Sequence, residues 1–276
     1  MGLRIKTNVQ SLVAQNQLGM TNERLARTQE RLSTGSKIVR AMDDAAGLAI
    51  SENLRADVRA TGQNIKNANS GFFLLQTAEG ALEEVSNILI RMKELAVQAA
   101  SDTNGDLERG YIDNEYQALK SELDRISATT EFNGRPLLNG EGGALDIQVG
   151  RHNIDEEDRI RVSSNFEITT DSMDIADLDV LTADSARGSL DPLDDALQVI
   201  AKARGSIGAA ESRLSVTMKS LGRYEENISS AFSEIRDADI AYETSELAKD
   251  SILRQAGTAV LAQANSLPQL ALKLLG

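Results

Sequence analysis

The side chains best suited to chemistry are sparse in this sequence, and where they occur their spacing does not match a reaction. His152 is the only histidine, so neither an HExxH zinc site nor a Ser/His pairing can be built around other histidines. Cysteine is absent, which removes a disulfide framework, a thiolate metal site and a cysteine nucleophile. Asp102-Thr103-Asn104-Gly105-Asp106 opens like a calcium loop. The position that needs glycine is Leu107, however, and the position that needs a bidentate glutamate is Asp113. An Asx-rich turn capping the next helix accounts for the stretch better. The acidic run Asp155 to Asp158 reads as a solvated hairpin tip rather than a metal site. A Walker A loop and a GxGxxG fingerprint are both missing. No catalytic residue, metal or cofactor is expected, and the chain is not expected to be an enzyme.

The elements that would carry a site are therefore informative in their own right. The chain has 276 residues, no Trp and only 3% aromatic residues. Large globular cores lean on aromatics for buried area, so the Ala, Leu, Ile, Ser, Gln and Asn here point to long helices packed through small side chains. The net charge is −13, and residues 129–199 are the acidic part. An acidic middle argues against nucleic acid, which calls for a basic stripe. Near the start, Arg4 and Lys6 precede Thr7, Asn8, Gln10 and Ser11 rather than an apolar run, so no secretory leader is expected. No stretch is apolar enough to span a membrane.

Residues 3–40 read as a helix with a weak stripe at Leu18, Leu25, Leu32 and Val39, broken at Thr34-Gly35-Ser36. A second helical run covers Asp43 to Ala100. There Leu75, Leu82, Leu89 and Ala96 are spaced by seven, with Ala78, Val85, Met92 and Ala99 three residues on. A shorter helix follows, with Ile112, Tyr116, Leu119, Leu123 and Ile126 on one seam. Asn133-Gly134 and Asn139-Gly140 mark turns. From Ala144 to Ile168 the period becomes two, at Leu145, Ile147, Val149, Ile160, Val162, Phe166 and Ile168, predicting short strands. Residues 169–190 are acidic and read as weakly structured. The strongest pattern is last: Leu193, Ile200, Ile207, Leu214, Leu221, Ile228, Ile235 and Tyr242 occupy one position of eight successive heptads. Asp191-Pro192 is a plausible start for that helix, with Asp as cap. Two runs of similar length, each about 85 Å as helix, are natural antiparallel partners. The expected fold is mainly α: a long antiparallel coiled-coil rod with paired terminal helices and a small β-hairpin region in the middle of the chain.

The tail from Leu247 to Gly276 departs from an ordinary surface helix. Between Gln255 and Leu272 no side chain is charged, yet Leu, Val and Ala recur at helical spacing. Gln255, Thr258, Gln263, Asn265, Ser266, Pro268 and Gln269 make it too polar for a bilayer. Such a helix is best satisfied by other protein, here residues 3–33 and neighbouring copies, and is expected to be frayed in a free monomer. Gly47, Gly62, Gly71, Gly80, Gly205, Gly208, Gly222 and Gly257 lie inside the helical runs, each costing about 1 kcal/mol relative to Ala. Close packing and a chain that must unfold easily are both consistent with them.

The sequence resembles bacterial flagellin, the subunit of the flagellar filament. The matching strings are TNVQSLVAQNQL (Thr7 to Leu18), ERLSTGSKI (Glu30 to Ile38), DDAAGLAIS (Asp43 to Ser51), MKELAVQAA (Met92 to Ala100), EFNGRPLLNG (Glu131 to Gly140), RDADIAYETSELAK (Arg236 to Lys249) and QAGTAVLAQANSLPQLALKLLG (Gln255 to Gly276). They span roughly residues 3–140 and 190–276. The resemblance implies a helical homopolymer for swimming motility, exported by the flagellar type III route to the outside of the cell. It implies an inner-tube helix and spoke in residues 1–42, rod segments at 43–140 and 191–246, a small variable region at 141–190 and a C-terminal inner-tube helix at 247–276. Ile5, Val9 and Leu12 are expected to contact Leu253, Val260, Leu261, Leu267 and Leu270 in self-assembly. Further implied partners are an export chaperone at the C-terminal helix, a filament cap and hook-associated proteins. The family's Toll-like receptor contact carries over to Arg91, Leu95 and Glu115, with Gln98 added on the same helical face. A hook–filament junction protein shares the terminal architecture, and a soluble coiled-coil signalling or binding module is the alternative from another class. With only about fifty residues between the matched ends, the large outer domains of longer relatives are nearly or wholly missing.

Overall fold

A computed structural model describes residues 7–163 and 166–275; for Ser163 and for 267–275 it describes the backbone alone. The chain is mostly helical and divides into two compact units, one of residues 1–57 with 227–276 and one of residues 58–226. The elements are α1 (Val9–Thr34), α2 (Ala45–Ala100), α3 (Asp106–Thr129), β1 (Glu131–Phe132), β2 (Arg135–Pro136), β3 (Ala144–Gln148), α4 (Asp155–Asp158), β4 (Arg159–Ser163), α5 (Ala183–Gly188), α6 (Leu190–Arg236) and α7 (Ile240–Leu275).

In the second unit the heptad rows become the core. Leu75, Ala78, Leu82, Val85, Leu89, Met92, Ala96 and Ala99 of α2 are buried, as are Leu193, Ala196, Ile200, Ala203, Ile207, Ala210 and Leu214 of α6. Fully burying a Leu or Ile side chain stabilises by about 1.5–3 kcal/mol, so this seam dominates the unit. The two rows run antiparallel. Lys93 pairs with Asp194, Glu79 with Arg204 at 3.5 Å, and the Glu225 carboxylate closes on Gly62. Ile112, Tyr116 and Leu123 of α3 complete the cluster. Burial pushes the Tyr116 phenol up to about 12.

The chain turns from α2 into α3 around Arg109, which is 8% exposed. Its Nε donates to the Ala99 carbonyl at 3.0 Å and its Nη2 to the Ser101 carbonyl at 3.2 Å. These bonds satisfy carbonyls that the end of α2 leaves without helical partners.

Asn133 and Gly134 adopt positive φ, 52° and 75°, and close a two-residue hairpin in which Phe132 faces Arg135. Sequence patterning suggests only a turn there. The period-two stretch forms an antiparallel pair, Leu145 opposite Val162 and Ile147 opposite Ile160. Gly71 lets this hairpin approach α2: a Cβ at that position would lie 2.3 Å from Ile147 Cδ1. Phe166 and Ile168 do not continue a strand. Among the described residues, the ladder contact near them is an isolated bridge between Asn139 and Glu167.

Residues 169–182 are irregular in backbone but not loosely attached. Ile168, Met173, Ile175 and Val180 are buried. The segment's backbone is held by a polar stripe on α3. Asp113 accepts from Val180 N at 3.0 Å, Gln117 and Lys120 donate to the Leu178 carbonyl at 3.2 and 3.0 Å, and Asp124 accepts from Thr170 N and Oγ1 at 2.9 and 2.8 Å. Thr182 and Ser185 then form a capping box that starts α5. The weakly structured segment of the sequence reading is therefore a packed one. α6 begins at Leu190, so Asp191 lies inside the helix rather than at its cap, with Pro192 in the first turn.

The C-terminal heptad row is also cut earlier than its spacing suggests. α6 ends at Arg236 and α7 starts at Ile240, so Tyr242 belongs to the next helix, where it is exposed. Asp239 Oδ1 accepts from Ala241 N at 2.9 Å and from Tyr242 N at 3.2 Å, capping α7. The break faces the end of α1 within the first unit. Gly35, at φ 69°, returns its N–H to the Arg31 carbonyl. Lys37 N donates to the Arg236 carbonyl at 2.7 Å, and Ala238 N to the Gly35 carbonyl at 2.9 Å. Each helix break thus satisfies the backbone of the other.

Candidate assembly surface

The first unit is organised by α1 packed antiparallel on α7. Asn8 Nδ2 donates to the Ala264 carbonyl at 2.8 Å, and Ser11 Oγ to Asn265 Oδ1 at 2.7 Å. Leu18 lies against Gly257, where a Cβ would be 3.3 Å from Leu18 Cδ1. Arg24 pairs with Asp250 at 3.6 Å, and Arg31 with Glu243 at 3.3 Å. Positions rise along α1 as they fall along α7, in one register over the whole pair.

What fills this seam is unusual. On α1 the buried residues are Ser11, Thr21, Leu25 and Thr28. On α7 they are Glu243, Asp250 and Ala264, which with Gly257 repeat every seventh residue. The buried carboxylates are admissible because each meets an arginine whose guanidinium stays partly in water, which limits the desolvation cost of the pair.

Apart from Leu25, which is buried, and the half-buried Leu18 and Leu32, the large apolar side chains of α1 and several on α7 face outward. Val9 (55% exposed), Leu12, Val13 and Met20 on α1, and Ile252, Leu253 and Val260 (59%) on α7, are solvent-exposed. Val9, Val13 and Ala14 with Val260 and Ala264 line a groove of about 780 Å³, bordered by Gln10, Gln17 and Gln263. Among the described residues no charged one lines it. Of the expected assembly residues, Val9, Leu12, Leu253 and Val260 are therefore exposed apolar groups, and Leu261 is half-buried. Leu267 and Leu270 lie on α7 with only their backbone described, and Ile5 lies outside the described residues. Val13, Met20 and Ile252 are exposed apolar residues of the same helices that escaped the sequence reading, although the i, i+4 spacing of Val9 and Val13 puts that pair on one face.

Beside the α1 break, Arg40 holds Glu30 through two hydrogen bonds to Oε1, at 3.2 and 2.8 Å, and one to Oε2 at 3.0 Å. The hydrogen bonds that Arg40 donates to Glu30 raise it above its ordinary value. Backbone N–H groups, first that of Arg40, hold the Asp43 carboxyl below its usual range.

The residues suggested for a receptor contact lie in the second unit and do not share one exposed face. Arg91, Gln98 and Glu115 are at the surface, and Arg91 bridges Glu115 and Glu94 at 2.9 Å each. Leu95, four residues after Arg91, is 2% exposed and belongs to the core cluster. A helical face wide enough to hold positions 91, 95 and 98 straddles the edge of the core, and Leu95 falls on the buried side.

Among the described residues there is no group of three or more His, Asp or Glu able to hold a metal, and no helix long and apolar enough to cross a membrane.

Comparison with known proteins agrees with this architecture. The bacterial flagellin N-terminal helical region matches residues 5–142, and the bacterial flagellin C-terminal helical region matches residues 190–275. A flagellin of Halalkalibacterium halodurans is 39% identical over 98% of this chain and 99% of its own. Flagellin FlaB1 of Treponema pallidum is 36% identical over 98% and 99%. Among solved structures, Bacillus cereus flagellin is 31% identical with a TM-score of 0.51, covering 56% of this chain and 88% of its own. A chain described as a flagellar hook-associated protein of Vibrio parahaemolyticus shares the fold at 17% identity and a TM-score of 0.59, over 71% and 100%. With flagellin regions matched over residues 5–142 and 190–275 and relatives at 36–39% identity over nearly their whole length, the chain belongs to the bacterial flagellin family and is a structural subunit of the flagellar filament.

Proposed function

We propose that the outward apolar side chains of α1 and α7 are the contact by which one copy holds the next in the filament. The observation that carries this reading is the distribution on that helix pair: apart from Leu25 and Ala264 the buried positions are Ser, Thr, Glu and Asp, while Val9, Leu12, Val13, Ile252, Leu253 and Val260 are exposed. Covering each exposed Val or Leu with a neighbour would contribute about 1.5–3 kcal/mol. The contact is head-to-tail and does not close, as a helical polymer requires.

The test is Val13→Lys combined with Val260→Lys. Both positions are exposed in the monomer, so the expected result is a monomer of unchanged helix content that forms no filaments when seeded with filament fragments. Removing residues 247–276, which takes away most of α7, should likewise leave a soluble monomer that forms no filaments. Filaments of normal length from either protein would sink the reading.

Other partners follow from the same family membership. In this proposal an export chaperone covers the apolar face of α7 before assembly, the chain leaves the cell unfolded by the flagellar export route, and a cap protein receives it at the growing tip beyond the hook-associated proteins. The chain acts outside the cell and by assembly, not by catalysis. Arg91, Gln98 and Glu115 form the exposed part of an innate-receptor contact, with Leu95 supporting them from the core. Arg91→Ala should lower receptor signalling in a reporter cell while leaving filament growth intact; unchanged signalling would remove the receptor from this proposal.

A further inference from the structure

The sequence contains three Asn-Gly pairs, at Asn104, Asn133 and Asn139. An asparagine followed by glycine can modify itself, because the next backbone nitrogen is unobstructed enough to attack the side-chain amide. The structure separates the three pairs sharply.

At Asn139 both reacting partners are occupied. Its Oδ1 accepts from Glu141 N at 3.0 Å and its Nδ2 donates to Glu141 Oε2 at 3.0 Å. The attacking nitrogen, Gly140 N, is spent in a hydrogen bond to the Phe166 carbonyl at 3.1 Å. A Cβ on Gly140 would meet the Glu167 side chain at 3.1 Å, so the surroundings are tight. At Asn104 the leaving nitrogen is held, since Nδ2 donates to the Gln98 carbonyl at 2.6 Å, and Asn104 N itself donates to the Ser101 carbonyl.

Asn133 is different on every count. It is exposed, stands at φ 52° and is followed by Gly134 at φ 75°. Among the described residues nothing hydrogen-bonds its side-chain amide or the Gly134 N–H, and nothing lies within 4 Å of a Cβ placed on Gly134. The two residues are the whole loop of the β1–β2 hairpin.

We propose that Asn133 is a self-modification site, converting to aspartate and isoaspartate well ahead of the other two pairs. Hydroxide takes the Gly134 amide proton, and that nitrogen attacks Asn133 Cγ. The N–Cγ bond forms, Nδ2 takes a proton from water and leaves as ammonia as the Cγ–Nδ2 bond breaks, and hydroxide is regenerated. Water then opens the five-membered imide. Attack at Cγ gives aspartate; attack at the backbone carbonyl gives isoaspartate, with the chain now running through the side chain. No oxidant, cofactor or second protein is needed. Isoaspartate adds a backbone methylene to a two-residue loop whose geometry admits no extra atom, so Phe132 and Arg135 lose their register beside the buried Leu137 and Leu138. A subunit that stays in place after assembly would carry this mark of its age.

The test is peptide mapping by mass spectrometry of the intact folded chain, held at mildly alkaline pH and body temperature, with a parallel sample in urea. In the folded sample the Asn133 peptide should gain about one mass unit severalfold faster than the Asn104 and Asn139 peptides, with isoaspartate the larger product. In urea the three rates should converge, since each asparagine precedes glycine. Asn133→Gly keeps a residue suited to positive φ and should reduce ammonia release to the level of the other two pairs. Asn104 or Asn139 keeping pace in the folded chain, no change at Asn133 while the urea sample converts, or undiminished ammonia release from Asn133→Gly would overturn the proposal.

Discussion

The α2–α6 seam of the second unit and the α1–α7 seam of the first are both antiparallel and both built on heptads, but opposite chemistry fills them. Leu82, Val85, Leu89, Ile207 and Leu214 are fully buried in the first case. In the second, Thr21, Thr28, Glu243 and Asp250 are inside while Val13 and Val260 are outside. One seam is complete within a single chain. The other uses hydrogen bonds and ion pairs to set register, and leaves large apolar side chains such as Val13 and Val260 in solvent. Under the proposed assembly contact, the closed seam keeps one part of the chain stable by itself while the open one is kept for neighbouring copies.

The largest effect should come from the closed seam. Leu82→Ala should cost about 2–5 kcal/mol in urea unfolding, whereas Val260→Ala, at an exposed site, should stay within about 0.5 kcal/mol. Equal losses at the two positions would erase the contrast. Next comes Gly71→Ala, which drives a Cβ into Ile147 and should destabilise by about 1–3 kcal/mol through overpacking. Arg31→Ala leaves Glu243 buried without its partner. Because the arginine is a third exposed, the expected loss is about 1–2 kcal/mol, below that of a fully buried pair, and Glu243→Gln in the same chain should recover part of it.

Gly205→Ala and Gly208→Ala should act in the opposite direction. Nothing lies within 4 Å of a Cβ at either position, so each should stabilise by about 1 kcal/mol through helix propensity. A loss at these sites in monomer unfolding would show that packing within the chain itself requires glycine there, against the open space seen around them. Glu211 gives the smallest effect. Burial, with Glu79 adding repulsion, raises its carboxyl above the ordinary range, and Arg204 is committed to Glu79. A carboxyl whose folded value is raised favours the folded state only while protonated. Stability should therefore fall slightly as pH rises from the ordinary carboxylate range through the raised value, and Glu211→Gln should flatten that slope in urea titrations at several pH values.

Much of this was legible from residues alone. Gly35 ends α1 where Thr34-Gly35-Ser36 interrupts the stripe, and the α2 row from Leu75 and the α6 row from Leu193 to Leu214 bury as spaced, while Leu221 and Ile235 stay half-buried. Tyr242 misled because heptad spacing ran on by coincidence through a break, although Asp237 and Asp239 supply the turn and cap chemistry that stops a helix. The attachment of residues 169–182 was missed because its signal lies elsewhere, in Asp113, Gln117, Lys120 and Asp124, a polar stripe on α3 that looks like a solvated face until a backbone docks on it.

By itself, then, the sequence determined which segments are helix, where Asn-Gly turns fall and that the tail needs a protein partner, because periodicity, turn residues and charge are local properties of the chain. Only the tertiary structure decided that Leu95 is buried while Arg91 is not, that Glu243 and Asp250 lie inside a seam, and that Asn133 is free where Asn139 is held. Those outcomes depend on which atoms of distant residues arrive beside each group, and spacing along one helix carries no record of that.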